Sequence, residues 1–241
     1  MGGLTRLILV SLLCGCTSVG YDFDGSFITE NIEYLEGIEY ISIFKSPAEA
    51  QSRKAAVKVT SVDVYGNKIS GSGAYITHKG DHYIVTAAHV VEDSSRVLIR
   101  GSGELIVASV AYVNSSSDLA LLSIAGMFTR DPIPWRVSKQ VSVGDKLVYS
   151  GFPNSMGLLT IKGEVAGFYE GAIVAHTYVW KGASGSLVLD EKGRIVGVVS
   201  AVDVGTDIGD YPTIIEDVGL IASTYSLDRY LNRYLRGGGK C

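Results

Sequence analysis

A serine set between glycines, in Lys181-Gly182-Ala183-Ser184-Gly185-Ser186, runs straight into the apolar Leu187-Val188-Leu189. Glycine tolerates positive φ and close approach to the main chain, so this stretch reads as a sharp bend presenting one hydroxyl ahead of a buried strand. A serine hydroxyl is a weak nucleophile at its own pKa and needs a base, itself oriented by a third group. Two candidates lie upstream at the edges of apolar runs. His89 ends Tyr83-Ile84-Val85-Thr86-Ala87-Ala88-His89, and Asp118 sits between Ser115-Ser116-Ser117 and Leu119-Ala120-Leu121-Leu122. Singly, each has a plainer reading: a turn serine, an interface histidine, a capping aspartate. Together they predict acyl transfer, with Ser184 as nucleophile, His89 as general base and Asp118 holding the imidazole.

Such groups need short strands to carry them. From Ala56 the apolar period is two: Val57, Val59, Val62 and Val64 alternate with polar residues, and Gly66-Asn67 turns the chain back into Ile69 to Ile76. Further strands are expected at His82–Thr86, Val97–Arg100, Leu105–Tyr112 and Leu119–Ile124. So many short strands in one stretch suit a closed antiparallel barrel, which leaves no exposed edge. Gly126 to Gln140, with Pro132 and Pro134, is the expected crossover. A second series follows at Lys146–Ser150, Leu158–Phe168, Ala172–Tyr178, Ser186–Leu189, Arg194–Ala201 and Val218–Ala222. Ser46-Pro47-Ala48-Glu49 has the form of a helix-opening capping box. Leu227, Tyr230, Leu231, Tyr234 and Leu235 mark a terminal helix over 227–235, with Ser226 as its cap and Gly237 past its end. His78 and His82 read as turn residues beside Gly80, and His176 as a buried strand position or a pocket wall.

Thr86-Ala87-Ala88-His89, Asp118-Leu119-Ala120-Leu121-Leu122 and Gly182-Ala183-Ser184-Gly185-Ser186, in that order, resemble the chymotrypsin-like (trypsin-like) serine peptidases. The spacings are most similar to the compact bacterial branch that includes the HtrA proteases. Gly71-Ser72-Gly73-Ala74-Tyr75-Ile76, Val143-Gly144-Asp145-Lys146-Leu147, Gly151-Phe152-Pro153 and Gly193-Arg194-Ile195-Val196-Gly197-Val198 resemble further family segments, so the likeness runs from about Val57 to Ala222. It implies an all-β fold of two six-stranded antiparallel barrels, with a short N-terminal extension and a C-terminal helix packed on the second barrel. The peptidase domain would span 55–241, with barrel one at about 55–125 and barrel two at about 141–222. The triad would meet in the cleft between barrels, with the N–H groups of Gly182 and Ser184 as oxyanion donors. By the same resemblance Tyr178, Val179, Trp180, Ser200, Ala201, Val202, Gly219 and Leu220 line the primary pocket. These are mostly apolar, so cleavage after small or medium apolar residues is expected rather than after Lys or Arg. Asp203 is the residue to suspect otherwise.

Two departures from related chemistry matter. The α/β-hydrolase elbow needs glycine where Ser186 stands and places its histidine last, so that fold is excluded. The digestive peptidases carry an aspartate just before the serine for zymogen activation; here Ala183 occupies that place, so the enzyme is competent as folded or is switched otherwise. Two other readings use the same residues: a catalytically silent peptide-binding homologue, and a protease that processes only its own chain. No second domain follows the terminal helix, so the PDZ module of HtrA proteins is not expected.

The 241 residues are 46% hydrophobic and 19% charged, a globular composition. A formal charge of −4, without a basic block, argues against a nucleic-acid partner and leaves proteins or peptides as substrates. Cys14, Cys16 and Cys241 leave the whole stretch between without a thiol, which excludes a cysteine nucleophile and disulfide stapling there. No His/Asp/Glu spacing suggests a metal, and no cofactor is expected. Arg6 followed by Leu7 to Leu13 reads as an export signal over 1–16, too short to span a bilayer. Leu13-Cys14-Gly15-Cys16 resembles a bacterial lipobox, which implies a chain exported to the cell envelope and attached to the membrane through lipidated Cys16; plain cleavage to a periplasmic or secreted form is the alternative. Residues 17–54 form an acidic arm with a short helix, its aromatics suiting either an arm packed on the domain or a substrate-mimicking propeptide. Palmitate is expected to label the chain in a bacterial host, with labelling abolished in Cys16→Ala; a mature chain starting elsewhere overturns the lipobox reading.

Overall fold

The computed structural model describes residues 46–101, 103–126, 128, 130–155, 157–206 and 212–233, with the backbone alone for 155, 201–206 and 212–216. The export signal with Cys16, the arm over 17–45, and Tyr234, Leu235, Gly237 and Cys241 lie outside these residues. The described residues open with helix α1 (Pro47–Ala55), whose cap is the expected one: Ser46 is extended and its hydroxyl accepts the Glu49 N–H at 3.2 Å. Strands β1 (Ala56–Val62), β2 (Lys68–His78), β3 (Asp81–Thr86), β4 (Arg96–Gly101), β5 (Glu104–Asn114) and β6 (Leu119–Ile124) follow. They pair antiparallel in the order β1-β4-β5-β6-β3-β2, and the β1–β2 pairing closes the first barrel. Strands β8 (Lys146–Gly151), β9 (Leu159–Tyr169), β10 (Ala172–Thr177), β11 (Leu187–Asp190), β12 (Ile195–Thr206) and β13 (Pro212–Ser223) close the second. Helix α2 (Tyr225–Arg233) ends the described chain. The two-barrel architecture is therefore the expected one.

Alternation along the strands explains how the barrels join. Tyr75, Ile84, Ala120 and Leu122 point into barrel one, and Tyr149, Val188, Val196 and Val199 into barrel two. The residues between them in sequence, Ala74, Ile76, Val85, Leu119, Leu121, Val148, Leu187, Leu189, Ile195 and Val198, share a third apolar cluster with both helices. Strands at this seam are buried on both faces, which is why Leu119–Leu122 and Leu187–Leu189 read as unbroken apolar runs. On the far wall of barrel one β5 is wet on one face, and Leu105, Val107, Val110 and Val113 are exposed there.

The crossover is pinned to both barrels. Within it β7 (Ile133–Pro134), absent from the sequence reading, pairs parallel to β2, and Trp135 N–H donates to the Thr77 carbonyl at 2.8 Å. Beyond it, Ile195 N–H donates to the Arg136 carbonyl at 2.7 Å.

Four expectations need correction. Helix α2 packs on barrel one, not barrel two: Tyr230 stacks on Tyr112 at 4.5 Å between centroids and donates to the Ala111 carbonyl at 3.1 Å. Leaving β13 at the seam, its apolar stripe of Leu227 and Leu231 covers the shared cluster from barrel one's side. Ser226 is not its cap. The first turn closes from Asp228 N–H to the Thr224 carbonyl at 2.8 Å, and the Ser226 hydroxyl instead meets that of Ser117 at 2.8 Å. His78 and His82 are strand residues flanking the Lys79-Gly80 turn, with His82 stacked on Tyr75 at 5.3 Å. His176 is exposed, because the alternation of β10 turns Ala175 and Thr177 inward and its imidazole outward. Helix α1 is the mirror case: it leads into barrel one yet binds barrel two, with the Ser52 hydroxyl donating to Ser150 Oγ at 3.0 Å and Arg53 to the Leu158 carbonyl at 2.9 Å.

Leu121 is fully buried in the shared cluster. Leu121→Ala is expected to cost about 2–5 kcal/mol, read from urea unfolding. Because the cluster belongs to both lobes, both are expected to unfold in one transition.

Candidate active site

Strand β3 ends at Thr86, and the chain turns through Ala87 and Ala88, both fully buried, into one 3-10 turn. Val90 and Val91 go into barrel one and leave His89 facing out, its side chain 45% exposed. Asp118 sits at the start of β6, behind a second 3-10 turn over Ser115–Ser117 in which Asn114 Oδ1 accepts the Ser117 N–H at 3.2 Å. Its backbone is left-handed, at φ 49° and ψ 46°, a conformation that aspartate tolerates better than most residues. The two turns meet. Asp118 Oδ1 accepts the His89 backbone N–H at 3.0 Å, and both carboxylate oxygens lie 2.9–3.0 Å from Nδ1. A carboxylate only accepts, so Nδ1 carries the proton and Nε2 presents a lone pair.

The same contacts set the charges. The hydrogen bond that His89 Nδ1–H donates to Asp118 holds the imidazole's pKa above its ordinary value, outweighing burial. Burial pushes the Asp118 carboxyl up, but the combined hydrogen bonds from the His89 ring, the Ser200 hydroxyl and the His89 N–H leave it below its ordinary value.

Ser184 arrives from barrel two on the loop before β11. Gly182 is at φ +94°, and a Cβ there would lie 2.5 Å from the Phe152 carbonyl oxygen, so the position admits glycine alone. The Ser184 hydroxyl donates to the Ser200 carbonyl at 3.2 Å; among the described residues no hydrogen bond joins it to His89. Catalytic hydrogen bonds are often long before substrate binds, and one rotation about χ1 re-aims a serine hydroxyl. Ser200 itself connects the lobes, since its hydroxyl donates to Asp118 Oδ2. It can do so because β12 bulges there: Val199 pairs with Ile221 and Ala201 with Leu220, which leaves Ser200 as the extra residue. A bulge of this kind re-aims one side chain without breaking the sheet. Sequence reading placed Ser200 only on the pocket wall and gave its hydroxyl no part beside Asp118.

Two backbone donors beside Ser184 stay unspent. The Lys181 carbonyl is held by Asn154 N–H at 2.6 Å and the Ala183 carbonyl by Ser186 N–H at 3.0 Å. In planar trans peptides this turns the N–H groups of Gly182 and Ser184 the opposite way, and among the described residues neither donates elsewhere. A cavity of about 170 Å³ opens beside Gly182, with Ser70 and Gly71 on its barrel-one side and Asn154 and Lys181 on the other. Of the expected pocket residues, Tyr178 is 40% exposed and its carbonyl accepts the buried Tyr149 hydroxyl. Val179 lies among the interior residues of barrel two, against Gly219. The side chains of Ala201, Val202 and Asp203 lie outside the description. Ser72, which sequence reading gave no role, also reaches this loop from barrel one.

Two closed six-stranded barrels, with His89 and Asp118 on one and Ser184 on the other, define the chymotrypsin-like fold. The model of the trypsin-like peptidase domain matches residues 71–198, a little over half of the chain, and the chain belongs to that family. It is similar to a probable periplasmic serine endoprotease, DegP-like, of Buchnera aphidicola, at 28% identity over 142 residues, covering 55% of this chain and 30% of that protein. A second relative, the serine protease Do-like HtrA of Lactococcus lactis subsp. lactis, is 24% identical over 196 residues, covering 73% of this chain and 47% of that protein. The chain thus spans less than half the length of either. Among solved structures the fold is similar to that of the serine endoprotease from Yersinia pestis, at TM-score 0.64 and 21% identity, covering 79% of this chain and 66% of that one. A protease of M. tuberculosis in its active form gives 0.65 at 19% identity, covering 80% and 86%.

The charge pair has a signed consequence. The raised histidine contributes stability that is complete below its unfolded value of 6.5 and is lost as pH rises through its folded value. The lowered aspartate contributes stability that is complete above 3.8 and is lost as pH falls through its folded value. Between 3.8 and 6.5 both shares are present in full. NMR titration is expected to place the His89 midpoint above 6.5 in the wild type and lower in Asp118→Asn; a midpoint unmoved by that substitution overturns the pairing.

Proposed function

We propose that this chain is a serine endopeptidase that hydrolyses peptide bonds through an acyl-enzyme, with Ser184, His89 and Asp118 as its triad. The observation that carries the reading is the Asp118 carboxylate, which binds His89 Nδ1 on one side and, through Ser200, the strand that holds the Ser184 hydroxyl on the other. Ser184 Oγ attacks the peptide carbonyl carbon as its proton passes to His89 Nε2, and the carbonyl π pair moves onto oxygen. The N–H groups of Gly182 and Ser184 receive that oxyanion. Collapse of the intermediate breaks the C–N bond, and the departing amine takes the proton from His89. Water then repeats the sequence on the ester and releases Ser184. Asp118 remains ionised throughout and stabilises the imidazolium.

Substrates are proteins or peptides, cut after small or medium apolar residues, their backbone added as a strand beside Ser200-Ala201-Val202. The first segment, read as an export signal, and relatives named as periplasmic endoproteases support action outside the cytoplasm in a bacterial envelope; attachment through Cys16 rests on the lipobox-like Leu13-Cys14-Gly15-Cys16 alone. No nucleic acid and no cofactor enter the reaction.

Casein turnover and labelling by a fluorophosphonate are expected from the full chain. Ser184→Ala should abolish the label and lower turnover by at least about 10⁴-fold. A wild-type chain that takes no label and cuts nothing is a peptide-binding homologue; one that cuts only itself is a self-processing protease.

A further inference from the structure

An oxyanion site works only if its donors are fixed before the reaction begins. In this chain the loop carrying Gly182 and Ser184 has no acid of its own to hold it, because the residue between them is Ala183, fully buried in the interior of barrel two. Something else must fix the loop. We infer that Ser72, on β2 of barrel one, is the positioning residue of the oxyanion loop, and that it clamps the loop from across the seam between the lobes. This rests on the peptidase reading above.

Ser72 is fully buried, and each of its polar groups is spent at this junction. Its backbone N–H donates to the Ser184 carbonyl at 2.8 Å, and its hydroxyl donates to the Gly182 carbonyl at 2.7 Å. The same hydroxyl accepts the Phe152 N–H at 2.9 Å, and the Ser72 carbonyl accepts the Thr86 hydroxyl at 2.7 Å. The first two contacts fix the peptide planes that follow Gly182 and Ser184, so the loop is held on both sides of Ala183. The third ties that loop to the segment after β8. Asn154, on that segment, pins the Lys181 carbonyl and so orients the Gly182 N–H.

One hydroxyl thereby couples both barrel-two segments that border Gly182. Only a side chain that donates and accepts at once fills the place, and only a small one fits in full burial. The flanking glycine is part of the device. A Cβ at Gly71 would lie 2.9 Å from the Ser184 carbonyl oxygen and 2.8 Å from Val90, so β2 comes this close to the nucleophile loop because Gly71 has none. The Gly71-Ser72-Gly73 segment is accounted for in these terms: glycine for approach, serine for the clamp.

Among the described residues Ser72 makes no hydrogen bond to His89, to Asp118 or to the hydroxyl of Ser184. Its effect falls on where the developing negative charge is received, and not on how the proton moves. Ser72→Ala, made in the full chain, is expected to lower kcat about 10- to 100-fold on a peptide amide, the scale of a misplaced reacting group, with KM within about twofold. Affinity for a peptide boronic acid, which mimics the tetrahedral adduct, should weaken by the same factor while binding of the product peptide does not. The acid limb of the pH profile should stay where it is in the wild type. Ser72→Thr, which restores a hydroxyl, should recover at least a third of the lost kcat.

An unchanged kcat overturns the inference, and so does a loss shared equally by boronate and product peptide, since that is the mark of a purely structural residue. Should Ser72→Ala not fold, Ser72→Cys replaces it; its thiol fills the site and bonds weakly, and the same split between kcat and KM is required. Fluorophosphonate labelling of the wild type is read first. If it fails, the peptidase reading itself is lost; if it succeeds, the variants test Ser72 alone.

Discussion

The structure depends on strands that are buried on both faces where the two barrels meet. Leu119 and Leu121 face the seam while Ala120 and Leu122 fill barrel one, and Leu187 and Leu189 face it while Val188 fills barrel two. Asp118 stands directly before the first of these strands and Ser184 shortly before the second. His89 follows β3, which has the same double burial at Ile84 and Val85. His89, Asp118 and Ser184 thus lie at or just beside the ends of strands that are buried on both faces. Loops there inherit the rigidity of a close-packed interior while opening onto solvent.

Across the seam the polar contacts run in a chain. The His89 ring and backbone bind Asp118, Asp118 accepts from Ser200, and the Ser200 carbonyl accepts from Ser184. Each half-buried charge therefore has partners of defined geometry, the condition under which a carboxylate stays ionised away from bulk water. The bulge in β12 makes this possible. A regular strand would send the Ser200 side chain along the simple alternation, and the contact between the barrels would be lost.

Much of this was legible in the sequence, and the parts that were not share a cause. The strand positions followed from period-two runs and turn residues, and His89, Asp118 and Ser184 stood out because each ends or begins such a run. Ser72 and Ser200 did not, because their partners lie on the other lobe or on an irregular strand, and neither a bulge nor a docking angle leaves a mark in local periodicity. His176 lies on a strand, but its exposure was not legible, because one histidine among apolar neighbours gives no sign of which face it takes; the pairing of β10 with β9 and β13 decides that. The terminal helix was legible as a helix. Its destination on barrel one was not, since its apolar stripe fits any exposed apolar surface, and only the seam's geometry selects one.

The crossed helices reach beyond packing. Helix α1, covalently the first turn of barrel one's segment, is fastened to barrel two, and α2, the tail of barrel two, is fastened to barrel one. Neither half of the chain is therefore a self-sufficient folding module. A chain cut after residue 125 would leave the seam bare and helix α1 without the barrel-two partners it grips. Ser184 and the strands beside it come later in the chain than His89 and Asp118, so the three are brought together only when both barrels are present. Such a truncated chain would hold His89 and Asp118 but not Ser184.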